Sequence, residues 1–371
     1  MSKFKVGFVG WRGMVGSVLI SRMVQENDFK NISSFFYTTS QVGEKCPFSF
    51  SDCDKLLDGY NLDELKKMDI ILTCQGSDYT KKVYLDLRDS GWNGHWIDAA
   101  SHLRMENDAI IILDPVNRDL IDSSFKQGIK TWVGGNCTVS LMLLAIHGLV
   151  KENLVEWVSS MTYQAASGAG ANNMRELLGQ MGYLYNSVSD LLHDKNSPIL
   201  DIDEKVSESF EGKDFPKSYF GEALAGSVIP WIDSDLGNGQ SKEEWKGPNE
   251  TLKILNTNYE PFKVDGLCVR IGTMRCHSQA ITIKLKKDLS EENVLQKISN
   301  GNDWVKLVPN DRENSIHNLS PTKASGKLDI LVGRVRKLNL DNNMFSLFTV
   351  GDQLLWGAAE PLRRILSIIT K

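Results

Sequence analysis

The chain opens with Lys3-Phe-Lys-Val-Gly-Phe-Val9, a short and mostly apolar run. It passes at once into Gly10-Trp-Arg-Gly-Met-Val-Gly16 and then into an amphipathic stretch over 17–25. A strand that breaks into a G-x-x-G-x-x-G loop and resumes as a helix constrains the fold strongly. Its glycines let backbone approach a pyrophosphate, and the unpaired amides of the helix start attract the charge. The same spacing also serves a tight turn at a close helix–sheet contact, so the loop carries weight only in context. Here the context favours dinucleotide binding, because strand-like runs at 32–37, 68–74, 95–99 and 109–113 alternate with helix-like segments. Such alternation predicts a parallel, doubly wound, Rossmann-like sheet with its ligand crevice at the strand ends.

The run at 32–37 ends in Thr38-Thr39-Ser40-Gln41. An NAD-selective enzyme usually places a carboxylate here to hold the ribose 2′-hydroxyl, whereas hydroxyls near Arg12 suit a 2′-phosphate. NADP is therefore the expected cofactor. Gln75-Gly76-Ser77 and Ala100-Ser101-His102-Leu103-Arg104 follow later strand ends and are placed to line the crevice. Taken alone, Arg104 reads more simply as a solvated surface charge.

A net charge of −5 over 371 residues, with no Lys/Arg cluster to offset it, argues against a nucleic-acid partner. No 18-residue apolar span and no charged-then-apolar leader is visible, so a cytoplasmic protein with no membrane partner is expected. The cysteines at 46, 53, 74, 137, 268 and 276 are scattered without a CxxC pair, and Cys276-His277 is not zinc spacing. Reduced thiols and no metal follow.

One cysteine stands apart. Lys130-Thr-Trp-Val-Gly-Gly-Asn-Cys137-Thr-Val-Ser-Leu-Met-Leu-Leu is a β-rich run, two glycines, and then a strongly apolar helix-like run beginning at the thiol. Helix-start amides pointing at Cys137 would favour thiolate, with titration at roughly 3.5–7.5 in place of about 8.5. The other reading is a small buried core residue.

Beyond it the pattern becomes α+β. The stretch 157–164 reads as a strand ending in the small-residue loop Ala165-Ala-Ser-Gly-Ala-Gly170, and 173–194 reads as a helix with apolar residues at core spacing. The segment 197–239 reads as irregular, wrapping the surface or a partner subunit. Glu243 and Lys246 fall early in the next helix, three apart and so on one face. The long β region 264–284 holds Arg270 and His277, which would face opposite ways on one regular strand unless Gly272 bends it. A last helix, from about Gly351, carries an apolar stripe that must dock elsewhere.

With Gly10-Trp-Arg-Gly-Met-Val-Gly16, Gly134-Gly-Asn-Cys-Thr138, Tyr163-Gln-Ala-Ala-Ser-Gly168, Glu243-Glu-Trp-Lys246 and Arg270…Arg-Cys-His277 in this order, the chain closely resembles the bacterial aspartate-β-semialdehyde dehydrogenases over its whole length. That resemblance implies reversible, NADP-linked interconversion of L-aspartate 4-semialdehyde plus phosphate with L-4-aspartyl phosphate, in lysine, methionine and threonine biosynthesis. It implies a cytosolic homodimer, an NADP-binding domain over 1–136 completed by a C-terminal helix at 352–371, and a catalytic and dimerisation domain over 137–351. By the same resemblance Cys137 is the nucleophile, His277 the acid–base and Gln164 the residue orienting substrate. Arg270 grips the substrate carboxylate, Glu243 faces its amino group, and Arg104 and Lys246 are phosphate-site cations. Cofactor contacts fall on Gly10, Arg12, Gly13, Met14, Val15, Thr39, Ser40, Gln75, Ser167, Gly168, Gly170 and Gln353. The loop Ser-Gly-Ala-Gly departs slightly from relatives with a third glycine. The chemistry suits these types independently: a thiolate forms thioesters readily, and a histidine's usual pKa suits proton transfer at neutral pH. Related thioacyl-forming dehydrogenases, such as N-acetyl-γ-glutamyl-phosphate reductase, differ around Asn136-Cys137-Thr138 and lack the Glu-Glu-Trp-Lys segment. A catalytically silent NADP-binding protein would have lost the nucleophile, base or carboxylate clamp, and all three residues are present.

Overall fold

The computed structural model describes residues 3–256 and 259–371. Its first half alternates as the sequence predicts: β1 (Phe4–Val9), α1 (Met14–Gln25), β2 (Ile32–Thr38), β3 (Leu57–Asp58), α2 (Leu62–Leu65), β4 (Ile70–Thr73), α3 (Ser77–Asp89), β5 (His95–Asp98), β6 (Ala109–Ile112), α4 (Asp114–Lys126) and β7 (Thr131–Gly134). The strands form one sheet in the order β3-β2-β1-β4-β5-β7-β6, with every pairing parallel. The order of strand succession reverses between β1 and β4, which opens a crevice at their carboxyl ends. Apolar side chains pack both faces, with Leu19, Ile20 and Met23 of α1 on one and Tyr79, Val83 and Leu87 of α3 on the other.

The second half is built on a mixed sheet. It comprises α5 (Cys137–Lys151), β8 (Val155–Gln164), α6 (Ala171–His193), α7 (Ile199–Phe210), β9 (Val228–Ile229), α8 (Lys242–Leu255), β10 (Lys263–Asp265), β11 (Cys268–Ile271), β12 (His277–Leu285), α9 (Glu291–Ser299), β13 (Val305–Leu307), α10 (Arg312–Asn318), α11 (Pro321–Ala324), β14 (Ile330–Lys337), β15 (Met344–Gly351) and α12 (Glu360–Thr370). Strand order is β13-β14-β15-β12-β8-β11-β9, with β10 also paired to β8. Helix α5 is buried from Thr138 to Val150 and forms the centre of this half's core with Ile281, Ile283, Phe345 and Trp356. The two halves therefore give an α/β molecule: a Rossmann-like unit joined to an α+β unit.

Three local expectations change. The segment 197–239 is not wholly irregular, because Ile199–Phe210 is helical and packs along α6 with Ile202, Val206 and Phe210 half-buried. The long β region is three strands, and β11 and β12 lie on opposite sides of β8. The chain leaves β11 in a bend at Gly272, where the Thr273 amide donates to the Ile271 carbonyl at 2.7 Å, and Cys276, with φ +74°, completes the passage into β12. Finally, Gly351 still belongs to β15, and a π-helical turn over Leu355–Ala359 precedes the last helix. That helix docks on the first sheet, placing Leu362, Ile365 and Leu366 beside Leu19 and Ile97. Glu360, fully buried there, accepts from Arg22 Nε at 3.0 Å and Arg363 NH2 at 2.9 Å.

The glycine loop is sterically closed at two points. A Cβ on Gly10, at φ +75°, would stand 2.5 Å from the backbone of Cys74 and Gln75. One on Gly16 would stand 2.3 Å from the Gly10 carbonyl oxygen. Gly16→Ala, which forces backbone apart without altering any charge, should destabilise the protein by about 1–3 kcal/mol. A urea midpoint indistinguishable from the parent's would show that α1 can move away from β1 freely.

Candidate active site

Two elements bring the thiol to the surface of a cavity. Strand β7 ends at Gly134, and Asn136 caps α5 with its side-chain Oδ1, which accepts from the amides of Thr138 at 2.9 Å and Val139 at 3.1 Å. Cys137 is the first residue of α5 and half-buried. Its own amide donates to no acceptor among the described residues, so it is free to serve an oxygen bound at the thiol. A cavity of about 380 Å³ lies over it, lined by Ser101, Arg104, Gln164, Lys246, Arg270 and Gly357 among others.

The second sheet supplies the facing wall. Gln164 ends β8, and parallel pairing sets Arg270 of β11 directly beside it. Antiparallel pairing of Ser278 with Tyr163 brings His277, the first residue of β12, to the same level on the other side. Thus Gln164, Arg270 and His277 stand abreast although they come from three strands. Gly168 packs against two of them: a Cβ there would meet Arg270 NH1 at 2.8 Å and His277 Nε2 at 3.0 Å.

Helix α8 supplies the third wall. A capping box of Ser241 and Glu244 starts it, leaving Glu243, Lys246 and Glu250 along one face. Glu243 accepts from Asn136 Nδ2 at 2.9 Å, Gln164 Nε2 at 3.2 Å and Lys246 Nζ at 2.8 Å. Burial works against this carboxylate, but the Lys246 ammonium and the three donors outweigh it and hold its pKa below the usual range. Burial likewise opposes the Lys246 charge, yet Glu243 and Asp233 raise its pKa on balance. The Glu243–Lys246 pair is therefore enclosed, unlike a solvated surface pair.

The cationic residues differ in what they already hold. Arg104 is buried, not a solvated surface charge: Nε donates to the Gly134 carbonyl at 2.7 Å, NH2 to the Gly135 carbonyl at 3.1 Å and NH1 to Glu250 at 3.0 Å. Five N–H groups on a guanidinium leave two for the cavity. Arg270 is 7 % exposed, donates to the Ala165 carbonyl at 2.8 Å and has no carboxylate partner among the described residues.

The titration behaviour of the cysteine and histidine departs from the expectation drawn from sequence. Burial, aided by Glu243, pushes the Cys137 thiol up to about 12, against Arg270, Arg104 and Lys246. Asn136 explains why the helix start does not reverse this, since its side chain occupies two amides that would otherwise face a thiolate. His277 is 1 % exposed, and burial followed by Arg270 lowers its pKa to about 3. Its Nδ1 accepts from the Ala165 amide at 3.0 Å, so the neutral ring carries its proton on Nε2, which has no partner. A ready proton exchanger near neutrality is replaced by a fixed hydrogen-bond donor.

Of the expected cofactor residues, Gly10, Arg12, Gly13, Thr39, Ser40 and Gln75 line one crevice of about 370 Å³ at the ends of β1, β2 and β4. Arg12 NH2 donates to Ser40 Oγ at 2.9 Å and NH1 reaches Gln41, a residue the sequence reading did not single out. Met14 and Val15 open α1 behind it. Position Gly76 has open space where a Cβ would stand, so backbone can approach a ligand there. This glycine cradle with an adjoining guanidinium fits a phosphorylated dinucleotide. Ser167, Gly168 and Gly170 lie instead on the loop facing His277, and Gly170 has φ +118°. Gln353 is 2 % exposed and joins Ser167 Oγ to the Cys276 amide, so it braces that loop from behind. Other contributors were missed: Asn136, Glu250 and Gly357, the last so close that its Cβ would lie 2.5 Å from that of Cys137. Among the described residues no cluster of His, Cys, Asp or Glu could hold a metal, and no helix is long and apolar enough to cross a membrane.

A thiol near 12 has a measurable consequence. Its thiolate fraction should rise about tenfold per pH unit from 7 to 9, and iodoacetamide labelling of Cys137 in the ligand-free protein should follow without a plateau. Peptide mass mapping checks this, and a rate already flat above pH 7 would mean that the thiol is ionised at rest.

Comparison with known proteins agrees with this architecture. The chain matches the family models described as semialdehyde dehydrogenase, NAD binding domain, over residues 5–124, and semialdehyde dehydrogenase, dimerisation domain, over residues 146–356. An aspartate semialdehyde dehydrogenase from Francisella tularensis is 48% identical, with 99% of this chain and 100% of that chain covered and a TM-score of 0.95. The fold is shared with an aspartate semialdehyde dehydrogenase II from Vibrio cholerae complexed with ASA (24% identity, 100% and 98% covered, TM-score 0.80). It is shared also with the Candida albicans enzyme with NADP (16% identity, 99% and 98% covered, TM-score 0.66). By two family domains and a full-length relative, this chain is an enzyme that belongs to the semialdehyde dehydrogenase family, alongside its aspartate semialdehyde dehydrogenases.

Proposed function

We propose that the enzyme interconverts L-aspartate 4-semialdehyde plus phosphate and L-4-aspartyl phosphate with NADP, through a thioacyl intermediate on Cys137, in lysine, methionine and threonine biosynthesis. The observation that carries this reading is Arg270. A buried guanidinium without a counter-ion is costly, so its wall of the cavity is suited to a substrate anion. A carboxylate held there by two parallel hydrogen bonds would lie across from the thiol, with Glu243 and Gln164 beside it to meet the amino group.

In the oxidative direction Cys137 Sγ bonds to the aldehyde carbon and the carbonyl oxygen gains a proton, giving a thiohemiacetal. NADP, when bound, would supply the hydride acceptor, and the hydroxyl proton would leave to solvent as the thioester forms. A phosphate oxygen then attacks the acyl carbon, the C–S bond breaks, and acyl phosphate and Cys137 thiolate separate. The free Cys137 amide and the Nε2–H of His277 are suited to donate to the oxygen as charge develops on it. With Nδ1 tied to Ala165, His277 acts as donor first, and a full proton exchange requires that bond to open. Arg104 and Lys246, which line the same cavity, offer positive charge to phosphate.

The reading extends to a cytoplasmic homodimer. The outward residues of β8, Trp157, Met161 and Tyr163, with Phe348 of β15, leave the second sheet with an uncovered apolar face that suits a second copy. The domain division follows 1–136 with 352–371 against 137–351, supported by the docking of α12 on the first sheet.

Assay of NADPH formation from semialdehyde, with and without phosphate, tests the reaction. In that assay Arg270→Lys should lose at least about tenfold in kcat/KM, because a point charge cannot reproduce a planar two-bond grip. A loss below about twofold, near 0.4 kcal/mol, would remove the carboxylate clamp. NADP preference is supported by Arg12 beside Ser40 and by the lack of a carboxylate over Thr38–Gln41. Arg12→Ala should therefore weaken NADP far more than NAD, and equal losses in a titration of both cofactors would place the selectivity elsewhere.

A further inference from the structure

Glu250 takes no part in the chemistry above, yet it is 2 % exposed and touches both sides of it. Its Oε1 accepts from Arg104 NH1 at 3.0 Å, and its Oε2 accepts from the amide of Asn136 at 2.6 Å. Arg104 in turn grips the carbonyls of Gly134 and Gly135, so the three residues preceding Cys137 are pinned by side chains from outside the turn. On α8, Glu250 follows Glu243 by seven residues and Lys246 by four, so all three project from one face. Glu243 fixes the Asn136 side chain, and Glu250 fixes its backbone.

We propose that Glu250 is a positioning residue: one carboxylate sets both the direction of the Arg104 guanidinium toward phosphate and the position of the turn that presents Cys137. The proposal rests on the reaction assigned above. The ion pair consumes one N–H of NH1 and fixes the plane of the guanidinium, leaving its remaining donors at the cavity. Neutralising Glu250 would release that plane. Glu250→Gln is nearly isosteric but frustrated, because whichever way the amide is turned, its NH2 meets either the Arg104 donor or the Asn136 amide.

The full-length enzyme is compared with its Glu250→Gln and Glu250→Asp variants in two measurements. The first is KM for phosphate and for semialdehyde separately; the second is the inorganic phosphate concentration that half-protects Cys137 from iodoacetamide, read by peptide mass. Glu250→Gln should raise the phosphate KM and the half-protecting concentration by about tenfold or more, with the semialdehyde KM within about twofold. Glu250→Asp keeps the charge on a shorter arm that reaches one partner, so it should recover part of the loss. It also carries the test if the Gln variant does not fold. A merely structural role would lower kcat or thermal stability while leaving both KM values unchanged, and that result overturns the proposal. Equal rises in both KM values would overturn it as well, since Arg270 lies on the other wall. Phosphate protection without turnover in the parent would sink the assigned reaction but leave Glu250's role standing. No phosphate protection in the parent would overturn the role itself.

Discussion

The site depends on how one asparagine is held. Asn136 stands where a buried strand becomes a buried helix, and each polar group named on it is satisfied from a different direction. Its Oδ1 caps α5, its Nδ2 gives to Glu243, its amide gives to Glu250, and its carbonyl receives Ser140. In a low-dielectric interior each unmet group would be costly, so the turn has one stable arrangement. The thiol inherits its position from that arrangement.

The same economy explains the charges. Arg104, Lys246 and Arg270 would repel one another if left alone around a single cavity. Two of them are held by carboxylates on one helix face, Glu250 and Glu243, and Asp233 adds a second partner for Lys246. The three cations and three carboxylates then balance formally, and Arg270 is the cation of the three without a carboxylate partner among the described residues. Thiol and imidazole are both held neutral by burial in this setting.

Much of this could be read from the chain. Gly10 to Gly16 and the passage into Cys137 work through local backbone geometry, which sequence states directly. The apolar residues Ile199, Ile202, Val206 and Phe210 recur every three or four positions, so α7 is also written there; the acidic residues between them and Leu200, off the stripe, obscure it. Glu250 had a signal in its seven-residue spacing from Glu243. Asp233 had none, lying in an irregular stretch far from Lys246 along the chain. The bend at Gly272 is legible because glycine turns at least cost, whereas the positive φ of Cys276, beside the Gln353 brace, carries no such signal. The acidity of Cys137 was misread because a side-chain cap and the free amides it consumes look identical in sequence.

The nearness of Gly357 to Cys137 has a mechanical side. The main chain passes from the first sheet into the second half at Gly134–Cys137 and returns through the π-helical turn at Leu355–Ala359, and the two crossings touch at the thiol. Two adjacent connections define an axis. Any rocking of one half against the other about that axis would sweep the outlying parts through the largest arcs, including the loop after β2 with Ser40. The sulfur, on the axis itself, would scarcely be displaced. A thiol at a fulcrum lets the cleft breathe around it while its own aim is kept.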